Sequence, residues 1–477
     1  MILTSFLVVL VTFLAIGLAS VRRATGERND YYLASRAVSP WLVGLSAVAT
    51  NNSGYMFIGV IGYTYQTGLA SIWLMIGWIL GDFIGSLFVH RRLRRATSQT
   101  NEASYVSVLA KWNGEGFTTW QRIGAVVMIL FLIAYAAAQI SAGGKALQGV
   151  LGFDPRLGAI AVATVVIAYS IAGGIRASIW TDAAQSFVML AAMSTMLVMG
   201  ILGLGGVSGT IDKWQAIPQF LNLFPGDLLL AGAAGIGLFV VGWMFAGFSV
   251  VGQPHVMVRF MALKDEQQMV QARVWYYSYF VVFYLLATGV GMLSRVYLPD
   301  LAAIDPELAL PKMAVELLPP VLVGFVLAGI FAATMSTADS LVLSCSAAIT
   351  HDLAPSRLES PVLLKTATAL VTVVALGLAL SESQSVFDLV ILSWSTLACA
   401  FAPLLVLYAA GRQVTERVAI LLMVVGVATA LLWRFGLGFH SSVYEGLPGI
   451  LLPLLIGWVL SVRSAPVPRT DLAETAR

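Results

Sequence analysis

Apolar residues fill most of the chain in stretches that approach the ~20 residues needed to cross a bilayer core. They predict helices at about 2–20, 39–66, 68–90, 120–147, 156–174, 180–204, 227–250, 269–296, 317–347, 361–382, 385–411, 417–435 and 446–462, thirteen in all. Two of these are interrupted at matching places, five helices apart. AVATNNSGYMFIG (Ala47–Gly59) breaks the second with two Asn, a Ser and a Gly, and WMFAGFSVVGQPH (Trp243–His255) breaks the seventh with Gly, Ser, Gly and Pro. Paired interruptions of this kind point to two inverted repeats with a binding site near the bilayer midplane.

Composition agrees. The 477 residues are 59% hydrophobic and 11% charged, with mean hydropathy +0.87. A soluble domain carries roughly 25% charged residues. The longest polar interval, about 91–119, is too short to fold alone, so an all-α polytopic membrane protein is expected, lodged in a cell (inner) membrane. The first apolar run has no basic residue before it and Arg22 and Arg23 after it, which predicts a retained helix with its N-terminus outside. Thirteen helices then place the C-terminus in the cytoplasm. This topology puts 21 of the 27 Lys and Arg inside, Arg259 among them, and leaves Lys145, Arg156, Lys213, Arg295, Lys312 and Arg434 outside. Cys345 and Cys399 lie in apolar segments and are expected as free buried thiols.

One apolar segment carries chemistry. In FAATMSTADSLVLSCSAAITHDL (Phe331–Leu353), Ala333, Ser336, Thr337 and Ser340 follow i, i+3, i+4, i+7 and share a helix face. Hydroxyls stacked this way are hard neutral ligands for a small dehydrated cation. Ser and Thr in membrane helices also bond back to their own backbone and let helices pack closely. The intramembrane carboxylate Asp339 beside them favours a functional site. The interruption at Ala49–Gly54 supplies the other half: an unwound membrane helix frees carbonyls that a cation can satisfy, the alternative being a kink capped by the Asn side chains. Asn51-Asn52-Ser53 matches a glycosylation sequon, discarded because it lies within the membrane. Asp182 opens the sixth helix, as a dipole-favoured acid or a site residue. Asp82 stands in a ridge of Gly77, Gly81 and Gly85 that predicts close helix packing. Asp388 is expected at the outer interface. No zinc spacing, nucleophile elbow or P-loop appears, and there are four His, so neither an enzyme nor a cofactor is expected. Uphill transport would then run on an ion gradient. The expected partners are a small-molecule substrate, sodium and lipid, with no nucleic acid and a monomer as functional unit.

Several stretches, in order and spacing, resemble the sodium:solute symporter family and within it the sodium/proline branch. They are DYYLASR (Asp30–Arg36), LSAVATNNSGY (Leu45–Tyr55), YSIAGGIRASIWTDAAQ (Tyr169–Gln185), GQPHVMVRFM (Gly252–Met261), AATMSTADSLVLSCSAAITHDL (Ala332–Leu353) and SWSTLACAFAP (Ser393–Pro403). The resemblance implies a leucine-transporter-type fold of ten core helices in two five-helix inverted repeats. Residues 1–38 would form an extra N-terminal helix and loop, 39–204 the first repeat, 205–411 the second, and 412–477 two C-terminal helices and a tail. It implies a sodium held by the carbonyls of Ala49, Asn52 and Ala333 and the hydroxyls of Ser336 and Thr337. The second sodium of some members would fall at Asp182, Ser336, Asp339 and Ser340.

Two departures stand out. The proline branch carries an acid where this chain has Asn51 and a hydroxyl residue where it has Asp339, as if the negative charge had moved from the first core helix to the eighth. The branch's aromatic pair in the sixth core helix falls on Ala246 and Val250, although Pro254 matches and Trp243 is close by. The solute pocket is therefore expected from Asn51, Ser53, Tyr55, Tyr135, Gln139, Trp243 and Pro254. The expected function is a sodium-coupled symporter of a small polar organic solute, proline or a related amino acid or carboxylate. Two alternatives remain: proton coupling through Asp339 or Asp182, and a sensor that binds solute without flux.

Overall fold

The computed structural model describes residues 1–21, 33–114, 116–303, 305–353, 361–381 and 385–463. Asp30–Tyr32, most of the predicted first loop and the tail lie outside the described residues, as do Arg22, Arg23, Arg28, Arg357, Arg469 and Arg477. Helices run in the order α1 (Ile2–Val21), α2 (Pro40–Gly54), α3 (Val60–Thr67), α4 (Ile72–Thr100), α5 (Tyr105–Ala110), α6 (Thr118–Leu151), α7 (Pro155–Gly203), α8 (Gly206–Gln215) and α9 (Gly232–Phe248). They continue through α10 (Pro254–Met261), α11 (Met269–Tyr297), α12 (Ala309–Leu317), α13 (Pro320–Ala347), α14 (Pro361–Ser381), α15 (Val386–Ala409), α16 (Glu416–Leu431) and α17 (Gly446–Leu460). Two short strands, Arg412–Gln413 and Val462–Arg463, pair antiparallel and tie α15 to the end of α17.

Among the described residues, eight helical stretches are long and apolar enough to cross a membrane. The first, Pro40–Thr100, covers both the second and the third predicted helix in its 61 residues. Four shorter apolar helices begin at Ile2, Pro155, Lys365 and Gly446. The backbone is helical from Pro155 to Gly203, where the sequence predicts two helices with a turn between them. Forty-nine residues at about 1.5 Å each far exceed one bilayer crossing. Its long apolar part, Ile175–Gly203, is separate from the shorter Pro155–Ala168. Four short helices, α5, α8, α10 and α12, were not anticipated, because a search at spanning length passes over them.

α13 and α15 are the most enclosed of the spanning helices, each with 83% of its most apolar window buried. α13 packs on α1, α2, α6 and α7, and α2 packs on α7, α11 and α13. The glycine ridge of α4 meets α9 backbone to backbone. A Cβ at Gly81 would lie 1.7 Å from the Met244 carbonyl oxygen, and one at Gly247 would lie 1.9 Å from that of Trp78. Only glycine permits this approach.

Candidate functional site

Both interruptions are real breaks in helix geometry. In α2 the break is at Ser53, with φ 40° and ψ 177°, in a run of poor helix formers, and a π-helical turn (Tyr55–Gly59) follows before α3. Three residues hold it. Ser53 Oγ accepts from the Tyr55 amide at 3.1 Å and from Tyr135 Oη at 3.3 Å, and Gln139 Oε1 accepts from the Gly54 amide at 2.8 Å. A Cβ at Gly54 would sit 2.6 Å from Thr334 Cγ2, so the glycine lets α13 close on the break. The second break is at Gln253, in extended conformation between a 3-10 turn (Ser249–Gly252) and Pro254, the first residue of α10. Pro fits there because its missing N–H belongs to an unpaired helix start.

The hydroxyl face of α13 lies against the α2 break. Ser336 Oγ is 3.3 Å from the Ala49 carbonyl and 3.1 Å from that of Ala333. Thr337 Oγ1 donates to the Thr50 carbonyl at 2.9 Å. Ala49, Ala333, Ser336 and Thr337 are thus brought together, with Thr50 as a carbonyl that sequence reasoning omitted. The Asn52 carbonyl receives the Tyr55 amide, while both polar atoms of its buried side chain lack a partner among the described residues. Hard oxygens held in this way suit a small cation, which would replace the hydroxyl–carbonyl hydrogen bonds with oxygen ligation.

One helical turn further along α13 the picture differs from the expectation. Asp182 Oδ2 accepts from Ser46 Oγ at 2.7 Å and meets Ser178 Oγ at 3.4 Å and Thr50 Oγ1 at 3.5 Å. Arg259, expected in an inner polar segment, is instead 1% exposed and pairs with Asp182 at 3.3 Å. Its guanidinium also donates to Ser340 Oγ, to Ser178 Oγ at 3.1 Å, to Ser46 Oγ at 3.3 Å and to the His255 carbonyl at 2.5 Å. α10 continues from the second break, and this carries the arginine into the bundle. Asp339 is buried and within electrostatic reach of Asp182. A buried charge pair needs such satisfied hydrogen bonds to offset its desolvation.

Beside the α2 break lies an aromatic cage. Tyr55 packs on Trp78 with centroids 5.8 Å apart, Trp78 on Trp394 at 5.3 Å, and His255 on Tyr135 at 5.4 Å and on Trp394 at 6.2 Å. Trp394 donates from Nε1 to the Ala246 carbonyl at 2.8 Å. Around the cage, buried polar atoms lack partners among the described residues: Asn51 Oδ1, Tyr55 Oη, Trp78 Nε1, Gln139 Nε2 and both ring nitrogens of His255. Native interiors leave few such atoms, and a cluster of them marks a binding site. Asn51, Ser53, Tyr55, Tyr135 and Gln139 are therefore brought together. Trp243 is not. Its backbone lies against Gly77, and its ring packs on Tyr63 and Phe239, on the wall of a cavity of about 1160 Å³. Pro254 lines a separate cavity of about 40 Å³ with Arg259 and Ser340. Trp78, Trp394, His255 and Arg259 were missed. Three of them lie in the segments that carry the family resemblance, but nothing in one dimension shows that they converge.

The model of the sodium:solute symporter family matches residues 31–426. The chain is 29% identical to the osmoregulated proline transporter OpuE of Bacillus subtilis over 95% of this chain and 92% of that protein. It is 30% identical to a sodium/proline symporter of Staphylococcus aureus, over 97% and 91%. A solved structure of a Na+-coupled sialic acid symporter in a substrate-bound outward-open state superposes with TM-score 0.79 at 17% identity, over 97% of this chain and 99% of that one.

Proposed function

The chain belongs to the sodium:solute symporter family, and from that premise we propose that it imports proline, or a closely related amino acid or carboxylate, together with sodium by alternating access. The observation that carries this reading is the meeting of the Ser336 and Thr337 hydroxyls with the carbonyls freed around the α2 break, next to a cage of unpaired polar atoms. Sodium is read at Ala49, Thr50, Ala333, Ser336 and Thr337, with Asn52 at its edge. Bound there it ties α2 to α13 and draws the break into shape for the solute. The solute carboxylate is taken by donors such as Gln139 Nε2 and Trp78 Nε1, and its apolar ring lies among Tyr55, Tyr135, Trp394 and His255. Trp78 and Trp394 replace the aromatic pair missing at Ala246 and Val250. The names of the relatives, proline transporters and sodium/proline symporters, support the solute class.

At the second cation position, among Asp182, Ser336, Asp339 and Ser340, we read the Arg259 guanidinium as the resident positive charge and the coupling as one sodium per cycle. The thirteen-helix topology, the two inverted repeats, the outer N-terminus and the inner C-terminus belong to the same proposal. On it, the 1160 Å³ cavity is the outer vestibule: Lys145, Arg156 and Arg434, three of the residues assigned outside, line it. Phe387 and Tyr63, stacked at 4.8 Å, lie between the vestibule and Tyr55. Sodium biases the cycle only through its different affinity for the two facings.

Uptake of labelled proline into proteoliposomes is the test. Accumulation under an inward sodium gradient, absent with potassium, is the expected result. Accumulation driven by a proton gradient without sodium would replace sodium with proton coupling. Saturable binding with no accumulation would make the protein a sensor.

A further inference from the structure

Asp82 is fully buried between α4 and α11, and both its oxygens are engaged. Oδ2 accepts from Tyr276 Oη at 2.6 Å, and Oδ1 from Tyr277 Oη at 2.8 Å. A carboxylate can only accept, and a phenol has one proton to give. The proton of Tyr276 goes to Asp82, so toward Asn51 its oxygen can only accept. Asn51 Nδ2 lies 2.5 Å from it. This chain of single-direction hydrogen bonds fixes the amide of Asn51. The nitrogen faces Tyr276 and Oδ1 faces away, and Oδ1 is a buried acceptor without a partner among the described residues. Asn51 follows Thr50, whose carbonyl meets Thr337, and stands two residues before the break at Ser53.

We propose that Asp82 is a positioning residue of the transport site. Through Tyr276 it holds Asn51 with its oxygen toward a bound cationic group, and it supplies the balancing negative charge from one layer behind α2. The cationic group is sodium or the amine of the solute. The inference rests on the symport reading. It also gives the glycine ridge of α4 a second purpose: close packing brings the carboxylate into the bundle interior beside α11.

The test is a charge swap. In Asn51→Asp/Asp82→Asn, the amide introduced on α4 can donate to Tyr276, and Tyr276 can donate to the carboxylate introduced on α2. Both bonds of Tyr276 are kept with their direction reversed, and the oxygen of the introduced amide still accepts from Tyr277. Two readouts apply: the sodium concentration that half-stabilises the purified protein against heat, with potassium as control, and the proline KM at saturating sodium. Asp82→Asn and Tyr276→Phe should weaken one of the two by about tenfold or more, the scale of a hydrogen bond to a charged group, with maximal rate largely kept. The swap should restore it to within about threefold. A shift in the sodium readout identifies sodium as the cation, and a shift in the proline KM alone identifies the amine. If Asp82→Asn does not fold, Tyr276→Phe and the swap carry the comparison. Variants that match the wild type, or a swap as impaired as the single change, overturn the relay while leaving the symport reading intact. A wild type that sodium does not stabilise, and that takes up no proline with it, overturns both.

Discussion

Ser336 is where the two halves of the proposed sodium position touch. Its hydroxyl reaches the Ala49 carbonyl on α2 and the Ala333 carbonyl on its own helix. Thr337 makes one such contact, to the Thr50 carbonyl. On the proposed reading, losing Ser336 removes a cation ligand and one of the two hydroxyl bridges from α13 to α2. Ser336→Ala should raise the sodium concentration for half-maximal uptake by about tenfold or more, the range of a hydrogen bond or ligand to a charge. Thr337→Ser, which keeps the oxygen, should stay within about threefold. Sodium titrations of proline uptake check both, and equal losses in the two variants would contradict the ligand reading. Arg259 belongs at the same scale. Removing one partner of a buried, hydrogen-bonded ion pair costs about 3–5 kcal/mol, because the other charge is stranded. Arg259→Met should therefore melt far below the wild type, and Arg259→Met/Asp182→Leu should recover much of the loss. The melting temperatures of the two purified variants decide this.

Among the elements, the contact between α4 and α9 is the least tolerant. Gly81 and Gly247 face the opposite backbone with no room for a methyl group. Backbone cannot move aside as a side chain tip can, so Gly81→Ala should cost about 3 kcal/mol or more, the upper end for overpacking. It should also displace Asp82, its neighbour in sequence. Gly237, on the same α9 with open space around its Cβ position, is the control. Gly237→Ala should be neutral or about 0.5–1 kcal/mol stabilising, the usual gain of Ala over Gly in a helix. Thermal melts of the two variants measure the contrast.

For the whole molecule, the two ends differ. One holds the 1160 Å³ cavity, and at the other a cavity of about 40 Å³ lies beside Arg259 and Ser340. Polar contacts close that second end. Asp352 Oδ2 accepts from Ser104 Oγ at 2.6 Å, and Oδ1 accepts from Ser107 Oγ at 2.6 Å and Gln121 Nε2 at 2.9 Å. Glu102 pairs with Lys111 at 2.5 Å and with His351 at 2.9 Å. Burial raises the Glu102 carboxyl, but the hydrogen bonds from His351 and Lys111 outweigh it and hold the group at about 2, below its ordinary 4.5. A carboxylate depressed on folding stabilises the fold above its unfolded value and loses that contribution as pH falls toward the folded one. The closed end should therefore weaken between pH 4.5 and 2. Glu102→Gln should melt lower than the wild type at neutral pH and show a shallower loss across that window. A wild type and variant with parallel profiles would remove Glu102 from the latch.

Hydropathy along the chain sufficed for the apolar spans, because crossing a bilayer is a demand that each segment meets alone, but not for the continuous helix Pro155–Gly203, which it divides in two. Local composition sufficed for the two breaks, since Asn-Asn-Ser-Gly and Gly-Gln-Pro resist helix whatever surrounds them. The hydroxyl face of α13 was legible for the same reason, as helix periodicity is a local property. The partners were not. Ser336 meets a carbonyl 287 residues away, and Gln139 caps an amide 85 residues away. Arg259 counted as an inner polar charge until α10 carried it beside Asp182, and Asp82 read as a packing residue until α11 presented two tyrosines to it. Trp78 stands in an unremarkable apolar run and Trp394 between two serines, and they form a cage only because α4 and α15 meet beside the breaks. Which side chains converge depends on helix rotation and contact distance. Those are set by glycine contacts and packing between segments far apart in sequence, and so by the tertiary structure alone.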